Sequence, residues 1–110
     1  MPAHAPITRH DVLAVLQEHV GRARGVTAEY LATALGIETR YLRSLITELR
    51  LEAYGVCANP RNGYFIAANS EELEEECAFL RGRAMHSLAL EAQLRKSVLP
   101  DLRGQARLKT

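Results

Sequence analysis

The amino-acid sequence predicts a mainly α-helical fold that carries one small β-hairpin and a long C-terminal helix. Three observations support this. Between Val26 and Arg50 the apolar residues Tyr30, Leu31, Leu35, Ile37, Leu42, Leu45, Ile46 and Leu49 recur at helical spacing, with one interruption at Gly36. Between Ala53 and Ala67 two short β-prone runs flank Asn59-Pro60-Arg61-Asn62, a dense turn signal that runs into Gly63. From Asn69 to Ser97 only Gly82 stands against a continuous helix. A mid-helix glycine costs about 1 kcal/mol relative to alanine and does not forbid continuation.

At 110 residues the chain is long enough for one hydrophobic core and short for two. Its apolar fraction of 47% is ordinary, and Leu, Ala, Glu and Arg dominate, which favours helix. No apolar run reaches the length of a membrane span, and MPAHAPITRH lacks the basic-then-apolar pattern of a secretory signal, so a cytoplasmic protein is expected. Cys57 and Cys77 have neither a CxxC spacing nor a histidine cluster. They read as small buried hydrophobes, with no disulfide and no metal expected. Net charge is only +1, but five glutamates crowd between Glu71 and Glu76, while from Arg81 onward seven basic residues face two acidic ones. A basic surface is therefore compatible with a nearly neutral total.

Residues 1–7 hold two prolines and no apolar period, and read as a flexible arm. Thr8 caps a first helix, with Asp11 completing a box, and Val12, Leu13, Val15, Leu16 and Val20 give it an apolar stripe through His19. The loop Gly21 to Gly25 presents Arg22 and Arg24, either to a phosphate or simply to solvent. Thr27 caps the second helix, which carries Glu29 in its first turn and ends at Gly36, where a positive φ is cheap. Glu38 or Thr39 caps the third.

If Leu42, Leu45, Ile46 and Leu49 face inward, the same period turns Thr39, Arg40, Arg43, Ser44 and Thr47 outward, with Arg50 near the end. No acidic residue interrupts that face between Thr39 and Thr47. Arginine can take guanine O6 and N7 bidentately, and hydroxyls can serve phosphates or base edges, so the face suits a major groove. An ordinary solvated helix face is the plain alternative. In the hairpin, Val56, Tyr64 and Ile66 are expected to feed the core, with Arg61 at the tip and Asn59 and Asn62 beside it.

The run LATALGI, Leu31 to Ile37, with Leu42 as the following aliphatic anchor, resembles the helix-turn-helix signature of DNA-binding regulators. With GVCANPRNGYFIA it resembles a winged helix-turn-helix, of the type found in small regulators of bacterial and prophage genomes. That resemblance implies a winged-helix domain at 8–68, three helices plus a wing, that binds double-stranded DNA and regulates transcription. Its expected contacts are Thr27, Thr39, Arg40, Arg43, Ser44, Thr47, Arg50, Asn59, Arg61 and Asn62, with Thr27 holding a phosphate at a helix N-terminus.

Asn69 followed by Glu72 fits a capping box for the last helix, 69–98. Leu73, Cys77, Leu80, Ala84 and Leu88 form a stripe along it, with more apolar surface than one small domain uses. A homodimer through that helix is expected, against the alternative of a monomer whose helix lies across the first. Pro100 ends helical structure, and 99–110 reads as a flexible basic tail.

No GxxxxGK[ST], GxSxG, HExxH or GxGxxG motif occurs, so neither an enzyme nor a cofactor is expected. His86 reads as a packed or interface residue rather than a general base. Two other functions compete with DNA regulation. A winged helix can serve as a protein-interaction module in a replication or regulatory complex, which the low net charge favours. Tyr64 and Phe65 would be stacking platforms in a single-strand or RNA binder.

Overall fold

The computed structural model describes residues 6–100 and the backbone of 106–108. In chain order the described elements are α1 (Arg9–Leu16), a single 3-10 turn (Arg22–Arg24), α2 (Ala28–Leu35), α3 (Thr39–Leu51), β1 (Val56–Asn59), β2 (Gly63–Ile66), α4 (Ser70–Arg95), β3 (Val98–Pro100) and β4 (Ala106–Leu108). The architecture is mainly helical with small antiparallel hairpins. It divides into two compact units, one through Glu76 and one from Cys77.

Helix α1 starts as its cap residues dictate: the Thr8 amide donates to Asp11 Oδ2 at 2.8 Å. It ends at Leu16, three residues short of the expected His19. The cause is β2. The Ile66 amide donates to the His19 carbonyl at 2.9 Å and the Gly21 amide to the Ile66 carbonyl at 2.7 Å, so the chain after Leu16 is drawn out along a strand edge. Val20 consequently sits in a parallel bridge to Ile66 and is 43% exposed, outside the helical stripe. The arm also differs from expectation. Residues 1–5 lie outside the described residues, but Ile7 packs against the core and its carbonyl accepts the Tyr41 hydroxyl at 2.7 Å.

Helices α2 and α3 meet at Gly36, whose φ of 68° is left-handed. The Ile37 amide reaches back to the Ala32 carbonyl at 3.0 Å, closing the helix end, and the Ile37 side chain turns down onto the core. That core contains Val12 and Leu16 from α1, Leu31 and Ala32 from α2, Leu42, Leu45, Ile46 and Leu49 from α3, and Val26 and Val56. Each helix thus buries one stripe, and burial of an aliphatic side chain is worth about 1.5–3 kcal/mol.

The hairpin pairs Val56 with Ile66, Cys57 with Phe65, Ala58 with Tyr64 and Asn59 with Gly63. Asn59 Oδ1 accepts the amides of Arg61 at 3.1 Å and Asn62 at 2.6 Å, and Gly63 closes the loop at φ 77°. One face feeds Val56, Tyr64 and Ile66 to the core. Its other face is buried too: Cys57 is 0% and Phe65 3% exposed. The reason is the start of α4, whose Glu72 carbonyl lies 4.0 Å from Cys57 Sγ. Cys77, expected to be buried, is instead exposed.

Asn69 Oδ1 accepts the Glu72 amide at 2.9 Å, while Glu72 reaches back one residue further than a standard box, to the Ala68 amide at 2.9 Å. Glu72 also accepts the Arg22 amide at 3.2 Å. These two backbone donors, Ala68 first and Arg22 second, hold the Glu72 carboxyl below its ordinary value of 4.5. A lowered folded-state pKa adds stability that is present above the unfolded value and is lost as pH falls through the folded one. Urea midpoints of the wild type are therefore expected to drop between about pH 5 and pH 3. Glu72→Gln should start lower at neutral pH and fall less across that window; parallel profiles for the two proteins would remove Glu72 from the account.

After α4 the chain does not run on as the loose tail expected for 99–110. Val98–Pro100 pairs antiparallel with Ala106–Leu108, Leu99 opposite Arg107. The remaining tail positions, 101–105 and 109–110, lie outside the described residues.

Candidate nucleic-acid interface

The outward side of α3 is set by its core side. Leu42, Leu45, Ile46 and Leu49 are at most 3% exposed, and this fixes the helix rotation. Arg40, Arg43, Ser44 and Thr47 are exposed on the opposite side, whereas Thr39 is only half-buried at the helix start. Arg61 is exposed at the hairpin tip, and Asn59 and Asn62 are half-buried beside it.

Arg50 is placed elsewhere. Its Nε donates to the Val56 carbonyl at 2.9 Å and its guanidinium pairs with Glu76 at 2.7 Å. The expectation that Arg50 joins the outward face is corrected: it clamps α3 to β1 and to the first turns of α4. Helical phase could not show this, because Arg50 lies seven residues, about two turns, beyond Arg43 and so on nearly the same side; its partners Val56 and Glu76 come from later in the chain.

The hydroxyls are also partly committed. Ser44 Oγ donates to the Tyr41 carbonyl at 2.7 Å and Thr47 Oγ1 to the Arg43 carbonyl at 3.0 Å. Their protons are used within the helix, so in this arrangement both can accept a hydrogen bond but cannot donate one to a phosphate. Thr27 is the reverse case. Its Oγ1 accepts the Tyr30 amide at 3.0 Å and keeps its proton for an outside acceptor. Asn59 Oδ1 is consumed by the turn, leaving its amide group as the outward donor.

Electrostatics separate the arginines of this unit into two groups. Arg9 is held by Glu52 and Glu48, Arg22 by Glu75 and Glu72, and Arg50 by Glu76. Among the described residues, Arg40, Arg43, Arg61 and Arg24 form no ion pair with a carboxylate. The hydrogen bonds from Arg9 hold Glu52 below the ordinary carboxylate value and raise Arg9, as Glu75 raises Arg22. Arg22 was one of two loop arginines offered to a phosphate or to solvent; it is paired with Glu75 and Glu72 instead, and Arg24 has no carboxylate partner among the described residues.

Comparison of the chain with protein-family models, with curated proteins and with solved structures finds no match. Any reading of this surface therefore rests on its own chemistry.

One feature of the face escaped the sequence reading. Leu51, four residues beyond Thr47, ends the same exposed row and is 82% exposed. Its i+4 spacing from Thr47 was the available signal. No group of three or more His, Cys, Asp or Glu among the described residues is placed to hold a metal, and none of the described helices is long and apolar enough to cross a membrane. The stacking platform offered by Tyr64 and Phe65 is not available as expected, because Phe65 is 3% exposed and Tyr64 packs against the core. The dimer stripe is exposed throughout: Leu73 at 41%, Leu80 at 40%, Leu88 at 57%, with Cys77 and Ala84 also exposed.

Proposed function

We propose that residues 8–68 form a winged helix that binds double-stranded DNA, and that the protein is a small cytoplasmic transcription regulator acting as a homodimer through α4. The observation that carries this reading is the pairing of arginines: Arg40 and Arg43 on the outward side of α3 and Arg61 at the wing tip have no carboxylate partner among the described residues, nor has Arg24 in the loop, while Arg9, Arg22 and Arg50 are paired with glutamates. In this reading α3 enters the major groove, where Arg40 and Arg43 take base edges, Thr27 donates to a phosphate at the α2 N-terminus, and Arg61 meets the backbone or minor groove. Ser44 and Thr47 contribute as acceptors. A two-fold dimer would then match a short two-fold operator.

A second reading has its own support. The net charge of +1 and the exposed Leu51 on the same row suit a winged helix that docks on another protein instead. Fluorescence anisotropy with mixed-sequence duplex DNA over a range of salt separates the two. Affinity should fall steeply with salt; Arg61→Ala should make the log–log slope shallower by about 1, and Arg43→Ala should weaken a selected site by about 10- to 100-fold. Absence of binding at low salt would overturn the regulator reading in favour of the protein-docking one.

A further inference from the structure

The outward row of α3 changes character along its length. Arg40 and Arg43 open it, and neither has a carboxylate partner among the described residues. Thr47 and Leu51 close it, one turn apart on the same side. Leu51 is 82% exposed, more than any other large apolar residue among those described. Thr47 gives its hydroxyl proton to the Arg43 carbonyl at 3.0 Å, so it has only acceptor lone pairs and a methyl group left to offer. The two glutamates that flank this end, Glu48 and Glu52, are both held by Arg9, at 3.5 and 2.6 Å. The row therefore begins as paired donors and ends as apolar surface with an acceptor beside it.

The major groove presents matching groups on different base pairs. Guanine shows two acceptors, O6 and N7, which suit an arginine that can only donate. A T·A pair shows the thymine methyl together with one amino donor, adenine N6, whereas a G·C pair shows an amino donor without a methyl. We propose that the Thr47–Leu51 end of α3 reads thymine methyl groups, so that an operator half-site sets T·A pairs against this end and G·C pairs against Arg40 and Arg43. This rests on the reading that α3 enters the major groove; it names the bases that the row selects and makes Leu51 a specificity-determining residue. From Arg40 to Leu51 the row is about 16 Å long, the length of about five base pairs at about 3.4 Å each. Both kinds of pair thus fit within one half-site.

Docking on another protein would use the same leucine, and a change confined to the DNA base separates the two uses. The test takes the full chain and duplexes enriched by it from a random pool. In an enriched duplex, replacing thymine with uracil removes one methyl group and leaves base pairing intact. At the positions read by α3, each replacement is expected to weaken wild-type binding by about threefold to fivefold. Leu51→Ala combined with Thr47→Ser removes the apolar surface and keeps the hydroxyl; this variant should bind thymine and uracil duplexes equally. Arg43→Ala should bind more weakly than wild type yet remain sensitive to the replacement. If wild type binds an enriched duplex but is indifferent to uracil at every thymine, or if the double variant stays as sensitive as wild type, the methyl contact is overturned while the regulator reading stands. Absence of duplex binding at low salt, or enrichment of no sequence, overturns both.

Discussion

Alanine at position 63 is expected to lower the unfolding free energy by about 3–5 kcal/mol, the largest loss from adding a single methyl group anywhere in the hairpin. Two costs combine there. The left-handed φ of 77° is unfavourable for a residue with a Cβ, by about 1–2 kcal/mol. The new carbon would also lie 2.3 Å from the Val26 carbonyl oxygen and 2.7 Å from its carbon. Both obstacles are backbone, so no side chain can rotate away. Relief requires separating β2 from Val26, which breaks the reciprocal bonds between Val26 and Tyr64 at 2.9 and 2.7 Å. Gly36 supplies the control, because its φ of 68° is similar but an added Cβ meets nothing within 4 Å. Gly36→Ala should therefore cost only about 1–2 kcal/mol. Urea unfolding of both variants measures the difference, and equal losses would show that the close approach at Gly63 is relaxed in solution.

The second large effect is at Glu76, which is 7% exposed and pairs with an Arg50 side chain that is 28% exposed. Removing one partner of a buried pair typically costs about 3–5 kcal/mol, and the partial access of Arg50 to water reduces that to about 2–4 kcal/mol for Glu76→Ala. Arg50 would keep its bond to the Val56 carbonyl, so the loss should be smaller than a full break of the α3–β1–α4 junction. Replacing both residues with apolar ones of similar size, Arg50→Met with Glu76→Leu, is expected to recover most of the stability. Denaturant midpoints of the single and double variants check this; a double variant no better than Glu76→Ala would mean that the Val56 bond, not the ion pair, holds the junction.

Much of the helical scaffold was legible because its signals are local. Thr8 with Asp11, Thr27 with Tyr30, Gly36 and Asn69 with Glu72 each act within one turn, and each forms the contact that its residue type requires. The turn chemistry of Asn59 and Gly63 is equally local. What sequence reading missed depends on contacts between residues far apart in the chain. The early end of α1 comes from Ile66, the capture of Arg50 from Glu76, and the neutralisation of Arg22 from Glu75. The acidic run at 71–76 was read as a partner for its own helix dipole. Three of its carboxylates turn out to pair with Arg22 and Arg50, and so take these two arginines out of the set open to an outside anion. Burial of Cys57 but not Cys77 likewise follows from where α4 begins to cover the hairpin.

The strap from His19 to Val26 has a consequence for self-assembly of another kind. An isolated two-stranded hairpin exposes two rows of main-chain donors and acceptors, and such rows are templates for strand addition and fibril growth. Here the outer row of β2 is occupied by His19, Gly21 and Val26, and on β1 the Val56 carbonyl is occupied by Arg50. The hairpin is thus guarded against edge-to-edge recruitment by loop backbone and one guanidinium, although the segment Val56 to Ile66 is short, β-prone and carries a single charge.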